Sequence, residues 1–263
     1  MTSFSLKQIT NEFCNNSKIC MLIRSCENKG RLSGCLTGWL DSKLSDYGIK
    51  QSHFLSINLF NDIQTILKPN NSYITYISDM SRAKHCKDIC FNYSNNSVIK
   101  DSLLRDIHYG SSEGLFYDGL SDNKKEELSN YNYKFENGES YLDVKFRGLK
   151  FISNHYSTLY SNKSIVFSHN IFNKSIILNN NINSNDIILF KLKNDQFSIE
   201  TKEVIDKYQK NFYKKNITSE NNLDNINKIR MEFNKIIKKH IDIIGYYTIE
   251  KLEEDEEQLS SDK

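Results

Sequence analysis

The chain has 263 residues, enough for one large domain or two small ones and for a sizeable buried core. Its 35 Lys and Arg against 33 Asp and Glu leave a formal charge of +2, so no global field draws it to nucleic acid or an anionic membrane. Hydrophobic residues make up only 38%, yet 15 Phe and 15 Tyr supply large apolar surfaces, which excludes wholesale disorder.

No run approaches the ~18 apolar residues of a membrane-spanning helix, and residues 1–16 lack the pattern of a secretory signal. A cytoplasmic chain is expected, with Cys14, Cys20, Cys26, Cys35, Cys86 and Cys90 as reduced thiols. His85-Cys86 with Cys90 has no second cluster at zinc spacing, so helix-face packing is the reading and no metal or cofactor is expected.

In chain order, polar residues up to Lys18 read as a loose cap. Residues 19–23 (ICMLI) predict a strand buried on both faces. A glycine-bearing loop follows over 26–41. Ser45 predicts the cap of a helix reaching about Leu67, with Phe54, Ile57, Leu59, Phe60, Ile63 and Leu67 at helical spacing. Pro69 and Asn70-Asn71 end it. Residues 73–78 predict a second strand, 81–91 a second helix and Val98-Ile99 a truncated third strand.

The stretch 100–137 reads as loop, punctuated by Gly110, Gly114 and Gly119. Residues 138–160 predict a helix, 164–168 (SIVFS) a buried strand and 171–178 another helix. The run 179–185 (NNNINSN) reads as a low-complexity surface loop. Strand 187–192 and residues 197–199 then predict a closing hairpin across Asn194-Asp195. This alternation implies an α/β layered fold with a mostly parallel sheet. Its site is expected at the strands' carboxyl ends, on Arg24-Ser25-Cys26, Ser78 to Arg82 and Ser168-His169.

Beyond Thr201 the pattern changes, which divides the chain into a domain over 1–200 and a helical extension over 201–263 with an acidic tail at 253–257. Thr218-Ser219-Glu220 predict a helix cap. Leu223, Ile226, Ile229, Phe233, Ile236, Ile237, Ile241 and Ile244 follow as an apolar stripe, with Lys228, Arg230, Lys235, Lys238 and Lys239 beside it. The main expectation is packing against the first domain, and a surface for a partner protein's helix is the other use of such a stripe. Membrane contact is not expected.

The strand-end residues resemble the histidine phosphatase superfamily, and its phosphoglycerate mutase branch most. Leu22-Ile23-Arg24-Ser25-Cys26 leads to Thr37-Gly38-Trp39-Leu40-Asp41, with the spacing from Arg24 to Trp39 intact. Ser78-Asp79-Met80-Ser81-Arg82-Ala83, then Leu104-Arg105-Asp106 with Gly110 and Glu113-Gly114, follow in the family's order. Gly138-Glu139-Ser140 with Arg147, and Ser168-His169-Asn170, complete it. The resemblance implies a three-layer α/β/α sandwich with a mostly parallel mixed sheet over residues 19–199, and a phosphate or phosphorylated small molecule as ligand. Arg24, Arg82, His169 and Thr37 would hold the phosphoryl group, and no nucleic acid or membrane is implied.

That family uses a histidine after the first arginine as nucleophile, forming a phosphohistidine. Ser25 stands at that place. A free serine hydroxyl stays protonated unless a base such as His169 activates it. Asp106 occupies the place of the family's acid, a glutamate, and its carboxyl reaches about 1.5 Å less far. Cys26 replaces a glycine, and a phosphocysteine route through it is the less expected alternative. The mutase branch clamps its substrate's carboxylate with paired arginines, where this chain offers only Lys134. The expectation is therefore a catalytically impaired protein that keeps an Arg/Arg/His phosphate pocket. The alternatives are an active phosphomonoesterase or mutase with a non-standard nucleophile, and an interaction scaffold through the C-terminal helices. Glu113 is either an ordinary loop carboxylate or a pocket group, Lys29 and Arg31 extend an anion-binding rim or stay solvated, and Trp39 packs under the loop. His85, His108 and His155 are expected to be structural or solvated.

Overall fold

The computed structural model describes residues 2–67, 73–91, 97–130, 133–177, 187–193, 197–212 and 221–248. The first helix, α1 (Leu6–Asn15), replaces the loose cap expected there. Ser5 closes a capping box with Gln8, and Ile9 and Phe13 are fully buried, because apolar residues four apart fall on one helical face. Strand β1 (Cys20–Arg24) follows, then the single turn α2 (Lys29–Leu32) within the glycine-bearing loop. Helix α3 (Asp46–Leu55) starts at Ser45, whose Oγ accepts from Gly48 N at 3.0 Å. A π-helical turn (Ser56–Phe60) joins it to α4 (Asn61–Leu67) and keeps Leu59 and Phe60 facing the core.

Strand β2 (Ile74–Ile77), helix α5 (Ser81–Cys90) and edge strand β3 (Val98–Lys100) come next. The stretch expected as loop holds three 3-10 turns and the short helix α6 (Asp122–Ser129). The helix expected over 138–160 is two, α7 (Tyr141–Asn154) and α8 (Tyr156–Ser161). Their break is at His155, which leaves helical geometry and meets Asp101 Oδ2 at 2.9 Å. Strand β4 (Ser164–Ser168), α9 (Asn170–Ile176) and β5 (Ile187–Leu192) match the expected order.

The closing hairpin is not formed. Phe197 instead begins helix α10 (Phe197–Phe212), where its ring is fully buried, and the antiparallel partner of β5 is β6 (Ile241–Tyr247). Helix α11 (Asn221–His240) therefore ends before Ile241 and Ile244, which belong to β6, and the purely helical extension expected over 201–263 is corrected at 241–247. A four-residue apolar repeat and a short β-branched run look alike in sequence. Residues 68–72, 178–186, 194–196, 218–220 and 253–257, where the helix stop, Asn-rich loop, hairpin turn, cap and acidic tail were expected, lie outside the described residues.

The six strands run β3-β2-β4-β1-β5-β6. The first four are parallel, β5 pairs antiparallel with β1, and β6 pairs antiparallel with β5. Alternation along β1 sends Cys20 and Leu22 to one face and Met21 and Ile23 to the other. Helices α1, α3, α4 and α5 cover the Met21 face, and α7 to α11 the Cys20 face, giving the expected three-layer sandwich. On α11, Ile226, Ile229, Phe233, Ile236 and Ile237 are buried against this body, while Lys228, Lys235, Lys238 and Lys239 are exposed. The apolar stripe is thus packed internally. No helix among the described residues is long and apolar enough to cross a membrane.

Candidate functional site

Parallel strands place their carboxyl ends on one edge, and the crossover loops open there. Arg24 ends β1 opposite Ser168 of β4, and Ser25 N donates to Ser168 O at 2.8 Å. Ser78, just past β2, is tied in turn to Phe167 O at 2.9 Å. These ends surround a cavity of about 150 Å³ lined by Arg24, Ser25, Thr37, Arg82, Asp106 and His169, whereas Ser78 to Ser81 and Ser168 do not line it. Arg31 lines it as well, whereas Lys29 is exposed elsewhere on the loop.

The loop that walls the cavity is held by its own polar groups. Asn28 Oδ1 accepts from Arg31 N at 3.0 Å and from Thr37 Oγ1 at 3.4 Å. Gly38 has φ 47°, and an added Cβ would collide with Glu113 Oε1, so this position requires glycine twice over. That oxygen accepts from Trp39 N at 2.7 Å and Tyr109 N at 3.2 Å. Glu113 is therefore a loop tie. Trp39 packs as expected, its indole N–H on Asp106 O at 2.7 Å and the Arg105 guanidinium 4.6 Å from its ring.

Arg82 is 1% exposed, and its pKa is lowered first by that burial. Its Nε donates to His169 Nδ1 at 3.2 Å, Nη1 to Leu40 O at 3.1 Å and Nη2 to Gly38 O at 2.8 Å. Of five guanidinium N–H groups, one on each Nη remains for a ligand. The arginine donor leaves Nδ1 as an acceptor, so the network assigns the proton to Nε2, which faces Ser78 Oγ at 2.9 Å. Ser25 Oγ lies 3.2 Å from the same Nδ1. One lone pair thus serves two donors. Burial, then the nearby Arg82 charge, hold the His169 pKa well below its usual value. The imidazole is neutral, and neither nitrogen has an N–H left to offer an anion.

Asp106 has 20% of its side chain exposed. Burial raises its pKa, against the pull of Arg82 Nη2 at 3.9 Å from Oδ2. Ile107 N and Ile171 N donate to its Oδ1 at 3.1 and 3.2 Å. Arg147 fixes the chain behind it: Nε and Nη2 bind the two oxygens of Glu139 at 2.6 and 2.8 Å. Further Arg147 bonds reach the carbonyls of Leu103, Arg105 and Asp106 at 2.7, 3.0 and 3.0 Å. Arg105 in turn grips Asp79 through two bonds of 2.7 and 2.6 Å. Both clamps involve residues quoted for the resemblance. Sequence spacing does not say which of these charged residues meet, since Arg105 and Asp79 are 26 positions apart.

Cys26 lines the cavity too, and its Sγ is 3.6 Å from Cys86 Sγ on α5. Cys86 and Cys90 are buried on the core face while His85 is exposed, so the three do not converge. Lys134 stands 3.6 Å from Asp143 and lines a separate cavity with Glu139 and Lys150. Among the described residues of that segment, none lines the cavity at the strand ends. His108 stacks on Trp39 at 4.5 Å, a structural place.

The layered sheet and its strand-end cavity define an α/β fold of the phosphoglycerate mutase-like kind. The family model of the histidine phosphatase superfamily (branch 1) matches residues 20–204, and the chain belongs to that superfamily. Among solved structures, Bacillus stearothermophilus YhfR is similar over 66% of this chain and 91% of its own, at 19% identity and a TM-score of 0.57. TTHB049 from Thermus thermophilus is similar over 65% and 92%, at 20% identity and 0.51. These likenesses bear on the fold. No curated protein matches the chain.

Proposed function

We propose that this protein binds a phosphorylated small molecule or phosphate in the strand-end cavity and is impaired in phosphoryl transfer. Arg24 and Arg82, with Arg31 at the rim, supply the positive charge, and Thr37 supplies a hydroxyl. The observation that carries the reading is the contact set of His169. On the motif resemblance Ser25 takes the place of the superfamily's attacking imidazole, and the base beside it is a neutral histidine whose acceptor nitrogen is shared with Arg82. A depressed histidine pKa makes proton removal from serine unfavourable. Asp106 remains suited to give a proton, because burial raises its pKa, but it acts on a leaving group only if something attacks phosphorus.

Titration calorimetry with inorganic phosphate and vanadate, together with hydrolysis of an aryl phosphate, tests this. Millimolar or tighter binding without turnover is expected, and Ser25→His should raise turnover. Hydrolysis by the unmodified chain that Ser25→Ala abolishes would refute it.

The 3.2 Å Ser25–His169 contact favours a second reading, an active phosphomonoesterase with a serine nucleophile. It predicts a phosphoserine adduct at Ser25 by mass spectrometry. The phosphocysteine alternative has less support, since Cys26 Sγ is in contact with Cys86. The scaffold alternative loses its apolar surface to internal packing of α11.

A further inference from the structure

The cysteines next to the cavity have a use that anion binding leaves unassigned. Cys26 follows Arg24 and Ser25 and lines the cavity, whereas Cys86 lies on α5 one turn beyond Arg82. Their sulfurs are 3.6 Å apart, neither is in a disulfide, and the residues are 4% and 0% exposed. A disulfide needs about 2.05 Å between sulfurs, so the two must close by roughly 1.5 Å. Cys90 does not compete for Cys86: cysteines four apart on a helix hold their Cβ atoms about 5–6 Å apart, beyond the ~4 Å a disulfide allows. Cys20 lies on the opposite face of the sheet.

We propose that Cys26 and Cys86 form a reversible dithiol–disulfide site, oxidised by hydrogen peroxide, whose closure weakens the anion cavity. The Cys26 sulfur attacks hydrogen peroxide, an S–O bond forms as O–O breaks, and the displaced hydroxide takes the Cys26 proton and leaves as water. Cys86 then attacks the Cys26 sulfur, S–S forms as S–O breaks, and the second water carries off the Cys86 proton. Two thiols lose two electrons and the peroxide gains them. The bond draws the residue after Ser25 toward α5, so the chain bearing Arg24 shifts relative to the helix bearing Arg82. Only this effect on affinity rests on the pocket reading above.

The experiment treats the full chain with hydrogen peroxide, maps its peptides by mass spectrometry and titrates phosphate before and after. A peptide linking residues 26 and 86, lighter by two hydrogens and restored by dithiothreitol, is expected, with phosphate affinity about tenfold lower. Cys86→Ser should abolish both effects and Cys90→Ser neither. Failure to find that peptide overturns the dithiol site. A cross-link with unchanged affinity, or peroxide weakening Cys86→Ser equally, overturns the closure. If the reduced chain binds no phosphate, the pocket reading falls, and the linked peptide alone then decides the disulfide.

Discussion

Replacing Arg147 with methionine removes five hydrogen bonds at once, two to Glu139 and three to the carbonyls of residues 103, 105 and 106. The side chains of Arg147 and Glu139 are only 11% and 16% exposed, so the Glu139 carboxylate would be left largely desolvated, with His108 N still donating to it at 3.0 Å. Breaking a buried pair from one side costs about 3–5 kcal/mol. At ~2–4 °C per kcal/mol for a chain of this size, the melting temperature should fall by roughly 10 °C. Denaturant titration of Arg147→Met, Glu139→Gln and the double variant isolates the cause. Glu139→Gln should recover part of the Arg147→Met loss, because a neutral amide tolerates the site better. Strictly additive losses, or an Arg147→Met change below about 1 kcal/mol, would refute the idea that a desolvated carboxylate dominates.

Lys145 is 5% exposed, bonds Asn234 Oδ1 at 2.9 Å, and has its pKa lowered from 10.5 to about 8 by burial and then by Arg230. The unfolded chain binds the extra proton between those values, so stability should rise with pH from about 8 to 10.5, by about 3 kcal/mol in all. Lys145→Met should flatten that slope in denaturant midpoints measured across the range, and an unchanged slope would count against it. Asp106, its pKa raised by burial, faces the cavity, so sulfate, which keeps its own charge, should bind more tightly as pH falls through the Asp106 titration. Calorimetry of Asp106→Asn should show that dependence gone. Asn170 Oδ1 lines the cavity buried and without a hydrogen-bond partner among the described residues, and Asn170→Asp should weaken phosphate binding about tenfold by adding negative charge. Equal affinity in that variant would place the carboxamide outside the ligand's reach. Gly38→Ala should cost stability through its positive φ and the contact with Glu113, read by thermal melting.

The central strands β1 and β4 are readable because they are buried on both faces. Runs such as ICMLI and SIVFS have few other stable uses. Helix α1 is hidden in the sequence because its polar face dominates the composition, and only Leu6, Ile9 and Phe13 carry the period. Strand β6 is hidden for the opposite reason: Ile241 and Ile244 continue the spacing of α11, and only pairing with β5 turns them into a strand. The local pattern fits either state there, so a long-range partner decides it. At the site, the motif order brings Arg24, Arg82, Asp106 and His169 toward one another, and the fold gathers them around one cavity. Their protonation is not legible in that order, because whether Nδ1 accepts or donates depends on Arg82 Nε and Ser78 Oγ arriving from other segments.

In the proposed reading, Arg82 has two jobs that mutation alone does not separate. Its Nε, Nη1 and Nη2 satisfy His169 Nδ1, Leu40 O and Gly38 O, and removing them strands three acceptors around the loop. A loss of anion binding in Arg82→Ala would follow from either a missing ligand contact or a collapsed wall. Arg31 offers the cleaner comparison, since it lines the same cavity from an exposed position on the rim. If charge attracts the ligand, Arg31→Ala weakens phosphate binding and lessens its salt dependence while melting stays near native. Unchanged affinity in Arg31→Ala would confine any cationic cradle to the two buried arginines.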